Sequence, residues 1–568
     1  LPVQPLFPDS IDEVTHWFDA KGPGMAARCP AQEVGTKCRV WRLMAAIPEL
    51  DGSSPSLVLK QDFPLSAARL EVDSKFCLRY PHIEIDGHFC HGILPSLDDL
   101  TAPVEAVGRV LVRLNEFLSC CQSPGWVEAE FHRERKDYWS RYAAKSKAPQ
   151  AYRTIELLLD VDINVDGVQE VGAVALANGG KALATSSCAE PEKLARSRGW
   201  AVGTIVRGAA LVAQLPLVER WTPSTWPKSF QELNDLISQL SDTPRYLSSW
   251  YSSRRWPNKA PVFVALIQGT VVFGWRLLPS HVARMNSPVL VPVEVTRIDR
   301  QWSLSRDHQS DKLKSLTSKK VVVFGCGSLG SPVIELLARA GVGTIEVVDP
   351  ETFDSENVAR HLLGASSVGE RKATAVCGRV ESSVPGVQMH SFPESAMQWF
   401  SKASQRSAPD LVIDCTGEEM VRVATSRLRR SILKLAPVLM AWMEPSCAAA
   451  HTLLVAGEDE WPTSDPAETA VNIARWPDDL QVQLPGCGQG FHSYGMADTW
   501  RAAGLVAERA LAVLNGASTP SGICSMVRNR AYFEQTSTLV EFNLDPPSGS
   551  GTESVTIVRE LPKVHREI

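Results

Sequence analysis

Residues 320–372 limit what this chain can fold into more than any other stretch. They begin KVVVFGCGSLGSPVIELLARAGVGTIEVVDPETFDSENVARH and close with GERK. The apolar run 321–324 has the length and branching of a buried strand. It breaks into Gly325-Cys326-Gly327-Ser328-Leu329-Gly330, after which apolar residues recur at helical spacing through Ala340. A second apolar run, 344–348, ends in Asp349, about twenty residues after the glycines, as a nucleotide-binding βαβ unit requires. Glycines let the turn bring amide N–H groups against a phosphate at the positive end of the helix, and a carboxylate closing the next strand can hold a ribose hydroxyl.

The glycine motif alone fits an ordinary dinucleotide-dependent oxidoreductase equally well. The residues beyond it favour different chemistry. Asn357, Arg360 and Lys372 are spaced along the next segment, and Asp414 ends a third apolar run, LVIDCTG. Hydride transfer needs no such set of phosphate-directed groups. Attack on the α-phosphate of ATP does, because charge builds there and Arg, Lys and Mg²⁺ stabilise it.

With 568 residues the chain exceeds a single core, and the usual domain size predicts about three or four domains. A net charge of −6 gives no electrostatic reason to expect a nucleic-acid partner. No apolar run is long enough to cross a bilayer and LPVQPLFPDS lacks a signal-peptide pattern, so no membrane association and a cytoplasmic location are expected. The 13 cysteines include no C-x-x-C pair, which argues against a four-thiolate zinc site.

Toward the N-terminus, a helix is expected over 11–20 and a helix over 104–120. Between them lie strands in WRLMAAIPEL, SLVLKQDFPL and AARLEVDS, then a short strand over 82–85, an Asp86-Gly87 turn and Cys90. This order resembles that of ubiquitin-conjugating enzymes, with Phe63-Pro64 like the family's upstream Phe-Pro and Tyr80-Pro81-His82 where the family has His-Pro-Asn. The resemblance implies that Cys90 is the thioester cysteine. His82 stands in the asparagine's place, where it would serve the oxyanion through its ring N–H unless that role has moved. His88 and His91 would depress the Cys90 pKa or simply face solvent. A buried thiol at a strand end is the plain alternative for Cys90, and a satisfied surface histidine the alternative for His82.

The segment FHRERKDYWSRYAAKSKAPQAYR reads as a linker helix with a solvated charged face. Beyond it, TIELLLDVDINV, VGAVALANGG, VGTIVRGAALVAQLPLVERW and APVFVALIQGTVVFGWRLL are strand-rich, and SFQELNDLISQL reads as an amphipathic helix. Trp221, Trp226, Trp250 and Trp256 read as core filling. No catalytic constellation stands out, which suits a structural spacer or a degenerate adenylation domain.

From Gln301 the chain resembles the adenylating domain shared by ubiquitin-activating enzymes and the bacterial ThiF, MoeB and HesA proteins. The resemblance implies that Gly325, Gly327 and Gly330 bind ATP phosphates and Asp349 the ribose. It further implies that Asn357, Arg360 and Lys372 contact phosphates and that Asp414 positions Mg²⁺. Arg306 lies where some relatives place an arginine directed at the partner subunit. An acyl-adenylate calls for a thiol, and Cys487 in LPGCGQGFHSYG suits it better than Cys447 in MEPSCAAAH. Glycines flank Cys487 ahead of a helix expected over 498–514, whereas the Ala-rich surroundings of Cys447 suit packing. Direct onward passage of the adenylate, with neither cysteine catalytic, is the alternative.

The expected architecture is therefore α/β and multidomain: an α+β conjugating-like domain over 1–141, a strand-rich α/β middle domain with its linker over 142–300, and a Rossmann-like adenylation domain with a thioester loop over 301–568. The combination resembles the bacterial activating/conjugating fusions of anti-phage CBASS operons. That resemblance implies ATP and Mg²⁺ as cofactors, a homodimer, an acceptor protein, and as substrate the C-terminal tail of a partner CD-NTase that makes cyclic-oligonucleotide signals. A sulfur-carrier adenylyltransferase and a non-catalytic scaffold are the rival readings.

Overall fold

The computed structural model describes residues 4–560 except 22–23, 45–46, 48–49, 147–155, 162–166, 177–179, 186–190, 198, 201–204, 258–259, 279–287, 305–314, 385, 404–406, 463, 470–472, 476–480, 483–490, 493, 518, 536–539 and 544–553. The chain divides into two compact units, one of Leu1–Arg196 with Trp200–Arg297, the other of Ile298–Ile568 with Ser197–Gly199.

The first unit opens with the helix Pro8–Lys21 and an antiparallel meander of β1 (Ala26–Arg28), β2 (Lys37–Leu43), β3 (Ser56–Lys60) and β4 (Arg69–Glu71), hydrogen-bonded in that order. The helix Pro103–Cys121 starts on proline at its first position, where the missing N–H costs nothing. Its Val107, Val110, Leu114 and Phe117 recur at helical spacing and share a core with Ile11, Val14 and Phe18 of the first helix and Leu57, Leu59 and Leu70 of the meander. The strand expected over 82–85 does not form; only isolated bridges, Ile83 with Phe89 and Glu71 with His88, are present there. The reason is His82, whose φ of 59° is left-handed backbone that a strand residue cannot hold.

An eight-stranded mixed sheet fills the rest of this unit. Its strands are β5 (Glu156–Asp160), β6 (Val168–Leu176), β7 (Lys181–Thr185), β8 (Ile205–Gln214), β9 (Val262–Gln268), β10 (Val271–Leu278), β11 (Val289–Val293) and β12 (Val295–Arg297), in the order β11-β10-β9-β8-β6-β7-β5-β12. The helix expected in SFQELNDLISQL spans Phe230–Leu240, with Ser229 accepting the Glu232 N–H as its cap. Trp221, Trp226 and Trp250 are buried, as core filling requires. The charged positions Arg133, Lys136 and Asp137 are solvated as expected, but the segment is not a free linker. The helix Arg135–Ala144 buries Tyr138 and Trp139, and Trp139 Nε1 donates to Val293 O at 2.9 Å, tying the helix to β11. Two aromatic side chains among mostly polar or charged neighbours give a weak sequence period, yet they carry the burial. Trp139→Ala should therefore lower the stability of this unit by about 3–5 kcal/mol in denaturant titration, against less than about 0.5 kcal/mol for the exposed Lys136→Ala.

The second unit is built on β13 (Lys320–Phe324), β14 (Thr344–Val348), β15 (Gln388–Phe392), β16 (Leu411–Asp414), β17 (Val438–Met443) and β18 (Ala449–Val455), followed by Gly522–Arg528 and Ser554–Glu560. The first five are parallel in the order β15-β14-β13-β16-β17, and the last three add antiparallel at the β17 side. The chain runs outward from β13 one way through β14 and β15, then returns beside β13 at β16. That reversal opens a crevice past the carboxyl ends of β13 and β16, the place where open α/β sheets take ligands.

Candidate functional site

The glycine turn sits at that crevice. Gly325 has a φ of 78°, and its N–H donates to Val348 O at 2.9 Å. A Cβ on Gly330 would stand 1.9 Å from Gly325 O, so the first turn of the helix Gly330–Arg339 can press onto the loop only as glycine. A Cβ on Gly327 would meet nothing within 4 Å, and Gly327 lines the adjoining cavity of about 490 Å³. Asp349, expected to hold a ribose, is buried. Its Oδ2 accepts the Cys326 N–H and its Oδ1 the Glu351 N–H, both at 2.8 Å. The carboxylate braces the turn, also engages the Cys326 thiol, and retains acceptor capacity for a hydroxyl.

Asn357, Arg360 and Lys372 come together. With Ser328, His361 and Tyr494 they line one cavity of about 160 Å³ beside the glycine turn. Lys372, the first residue of the helix Lys372–Ser383, is buried and ion-paired with Glu351. The Arg360 guanidinium lies 5.4 Å from the centre of the Tyr494 ring, and the Tyr494 hydroxyl is 2.7 Å from Ser328 Oγ. The cavity thus offers two cations, an amide and hydroxyls, a donor set matched to phosphate oxygens.

Asp414 ends β16 in a buried position. Its Oδ1 accepts the Thr416 N–H at 2.9 Å and the Thr416 hydroxyl at 2.7 Å, while Oδ2 is buried with no hydrogen-bond partner among the described residues. Burial raises the pKa of the group. A carboxylate oxygen in this state fits a hard divalent cation, which binds through one or two carboxylates plus phosphate oxygens. Asp414 would hold Mg²⁺, whose charge would lower the cost of the buried carboxylate and neutralise the nearby phosphates.

In the first unit Cys90 is exposed. Its N–H donates to His82 O at 2.7 Å, and the Gly92 amide faces its sulfur, an interaction that favours the thiolate. Although the residue is exposed, partial desolvation of its sulfur by the surrounding protein and the neighbouring Glu84 raise the thiol above its usual pKa. His88 and His91 do not counter this as imidazolium ions. Burial lowers His88 to about 4, and His91 is also lowered, with Nδ1 accepting the Ile93 N–H at 3.1 Å and Nε2 facing Ala68 O at 3.0 Å. The His82 ring N–H expected to serve an oxyanion is engaged elsewhere: Nε2 lies 2.8 Å from Glu130 Oε1.

The ThiF family model matches residues 298–439. The C-terminal region carries a ThiF domain. The chain is 27% identical over 270 residues to the ATP-dependent ubiquitin transferase-like protein Cap2 of Pseudomonas aeruginosa, covering 45% of this chain and 46% of that one. It is 31% identical over 166 residues to Cap2 of Vibrio cholerae, covering 28% of each. It is 32% identical over 139 residues to the adenylyltransferase and sulfurtransferase UBA4 of Lodderomyces elongisporus, covering 24% and 30%. The chain therefore spans less than half the length of these curated relatives. Among solved structures, E. coli MccB with ATP aligns over 42% of this chain and 70% of that one at 13% identity and a TM-score of 0.31.

Within the ThiF domain, His361 escaped the sequence reading although it directly follows Arg360. It is buried, with Nε2 donating to Cys326 O at 2.6 Å and Nδ1 accepting the Leu363 N–H at 3.1 Å. Burial lowers its pKa to about 4. A histidine lowered on folding binds fewer protons than its unfolded counterpart, so its contribution is complete above about pH 6.5 and is lost as pH falls toward about 4. Melting curves should accordingly show stability falling between those values, and His361→Gln should flatten that slope. Tyr494 was also missed. Of the two cysteine candidates, Cys447 is fully buried with its thiol raised to about 11, its Sγ 3.7 Å from Asp498 O, a packing environment. Cys487 and Arg306 lie outside the described residues.

Proposed function

We propose that this protein activates a protein C-terminal carboxylate with ATP and passes the acyl group through cysteine thioesters to an acceptor amine. The observation that carries the reading is the convergence of Asn357, Arg360 and Lys372 on one cavity beside the glycine turn. A carboxylate oxygen attacks the α-phosphorus and pyrophosphate leaves. A thiolate then attacks the mixed-anhydride carbonyl, forming a C–S bond as AMP departs. Cys487 takes the acyl group first, and exchange moves it to Cys90. An amine finally attacks that thioester, giving an amide, a thiolate and a proton. Arg360 and Lys372 stabilise the charge that builds on the phosphates.

The names of the Cap2 relatives support a transferase of this kind. The helix-flanked four-stranded meander holding Cys90 supports a conjugating role for the first unit. By resemblance, the substrate tail belongs to a CD-NTase and the active form is a homodimer. A sulfur-carrier adenylyltransferase is favoured by the UBA4 relative but leaves the Cys90 region without a task. The test is ATP–pyrophosphate exchange with the candidate partner. Exchange that requires the intact partner tail supports the reading, and no exchange with any such tail sinks it.

A further inference from the structure

His82, Glu130 and Glu134, beside Cys90, have the composition of a cation site, with their ligand atoms all within 4.8 Å of one another. Their geometry favours another role. Glu130 Oε1 lies 2.8 Å from His82 Nε2, whereas Glu134 Oε2 lies 3.6 Å from Nδ1. Glu130 hydrogen-bonds one ring nitrogen while Glu134 stands near the other, so the two carboxylates hold the ring from opposite sides. Arg133 already pairs with both carboxylates. The cluster brackets the imidazole.

The bracketed residue has an unusual backbone. His82 is in the left-handed region, which is strained for a residue with a Cβ and persists only where the surroundings enforce it. Its N–H donates to the Tyr138 hydroxyl at 2.8 Å, and its C=O accepts the Cys90 N–H at 2.7 Å. Tyr138 is fully buried, and its own hydroxyl donates to Glu134 Oε2 at 3.2 Å. Two residues beyond His82, Glu84 receives a bidentate Arg141, with Nε at 2.8 Å, whose guanidinium stacks 4.6 Å from the Tyr138 ring centre. All these partners sit on the helices Trp126–Arg133 and Arg135–Ala144 or at the junction between them, and Trp139 ties the second helix to β11.

We propose that Tyr138 and Glu130 are positioning residues for Cys90: they lock the left-handed His82, whose carbonyl holds the Cys90 amide, so that the strand-rich middle region completes the acyl-transfer site. The chain of contact runs from β11 through Trp139 and Tyr138 to the His82 amide, and from the His82 carbonyl to the amide of the nucleophile. Loss of the Tyr138 hydroxyl leaves the His82 N–H without its acceptor and frees the turn to relax. Displacing a reacting carbonyl by about 1 Å costs up to about a hundredfold in rate. The proposal rests on Cys90 being the acyl-carrying nucleophile.

The test uses the full chain and a short synthetic peptide thioester ending in glycine. Acyl exchange onto Cys90 is followed as a DTT-sensitive adduct, and discharge is then timed with free lysine. Tyr138→Phe and Glu130→Ala should each slow discharge about tenfold, the worth of one to one and a half kcal/mol of lost hydrogen bonding. Glu130→Gln keeps an acceptor for Nε2–H and should stay within about twofold of wild type, with iodoacetamide alkylation of Cys90 unchanged in all three. Wild-type discharge in Tyr138→Phe, or equal losses in Glu130→Gln and Glu130→Ala, overturns the positioning role alone. No adduct on wild-type Cys90 overturns the nucleophile reading beneath it.

Discussion

Asp414→Asn is expected to cut ATP–pyrophosphate exchange by about two to three orders of magnitude, comparable to removing one preorganised charge-stabilising group from an active site. The substitution is nearly isosteric. An asparagine can keep the Oδ1 acceptor for the Thr416 N–H and hydroxyl, so the end of β16 should hold. What changes is Oδ2, buried without a hydrogen-bond partner among the described residues: a neutral amide nitrogen there repels a cation that the carboxylate would attract. Chelating divalent cations from the wild-type protein should produce a loss of similar size, reversed by added Mg²⁺. Exchange within twofold of wild type in the variant would remove Asp414 from the ATP site. Because burial raises its pKa, protons compete with the cation for this carboxylate, so the Mg²⁺ concentration giving half-maximal exchange should rise as pH falls.

Cys90→Ser should abolish ligation to an acceptor, a loss of at least about a thousandfold, while leaving ATP–pyrophosphate exchange at the wild-type rate. The two outcomes separate because, in the proposed relay, exchange would need only the nucleotide site within residues 298–439, whereas ligation would also need the exposed Cys90 thiol. Serine is a weaker nucleophile at neutral pH, and any acyl group it does take up will be an ester that resists DTT. That shift from reducible to irreducible adduct identifies the position chemically. Ligation that survives the substitution would end the conjugating role of the first unit and favour the sulfur-carrier reading.

The site was legible in the sequence where its members belong to one βαβ unit. Gly325, Gly330 and Asp349 are placed by the strand-turn-helix-strand order itself, since a parallel pair with a crossover helix leaves the turn and the next strand end side by side. Asp414 was marked by the end of a third apolar run and by the family resemblance, and the structure brings it to the turn by laying β16 directly beside β13. His361 and Tyr494 were harder. The first is hidden by a flanking arginine that claims attention, and the second comes from a segment 166 residues from Ser328 with no periodic signal of its own. The charged helix around Tyr138 misled for a related reason, since its polar composition outweighs the two aromatics that bury it.

Sequence alone determined the nucleotide fold and the order of the meander, because backbone periodicity and glycine placement are local properties that a chain carries wherever it packs, while the choice of Cys90 as nucleophile came from a family resemblance. Only the tertiary structure decided what His82 does. Its ring and backbone meet Glu130 and Tyr138, 48 and 56 residues away, and no spacing rule links such positions. The surrounding fold, by enforcing a left-handed backbone at that residue, turned an expected strand into the turn that holds Cys90.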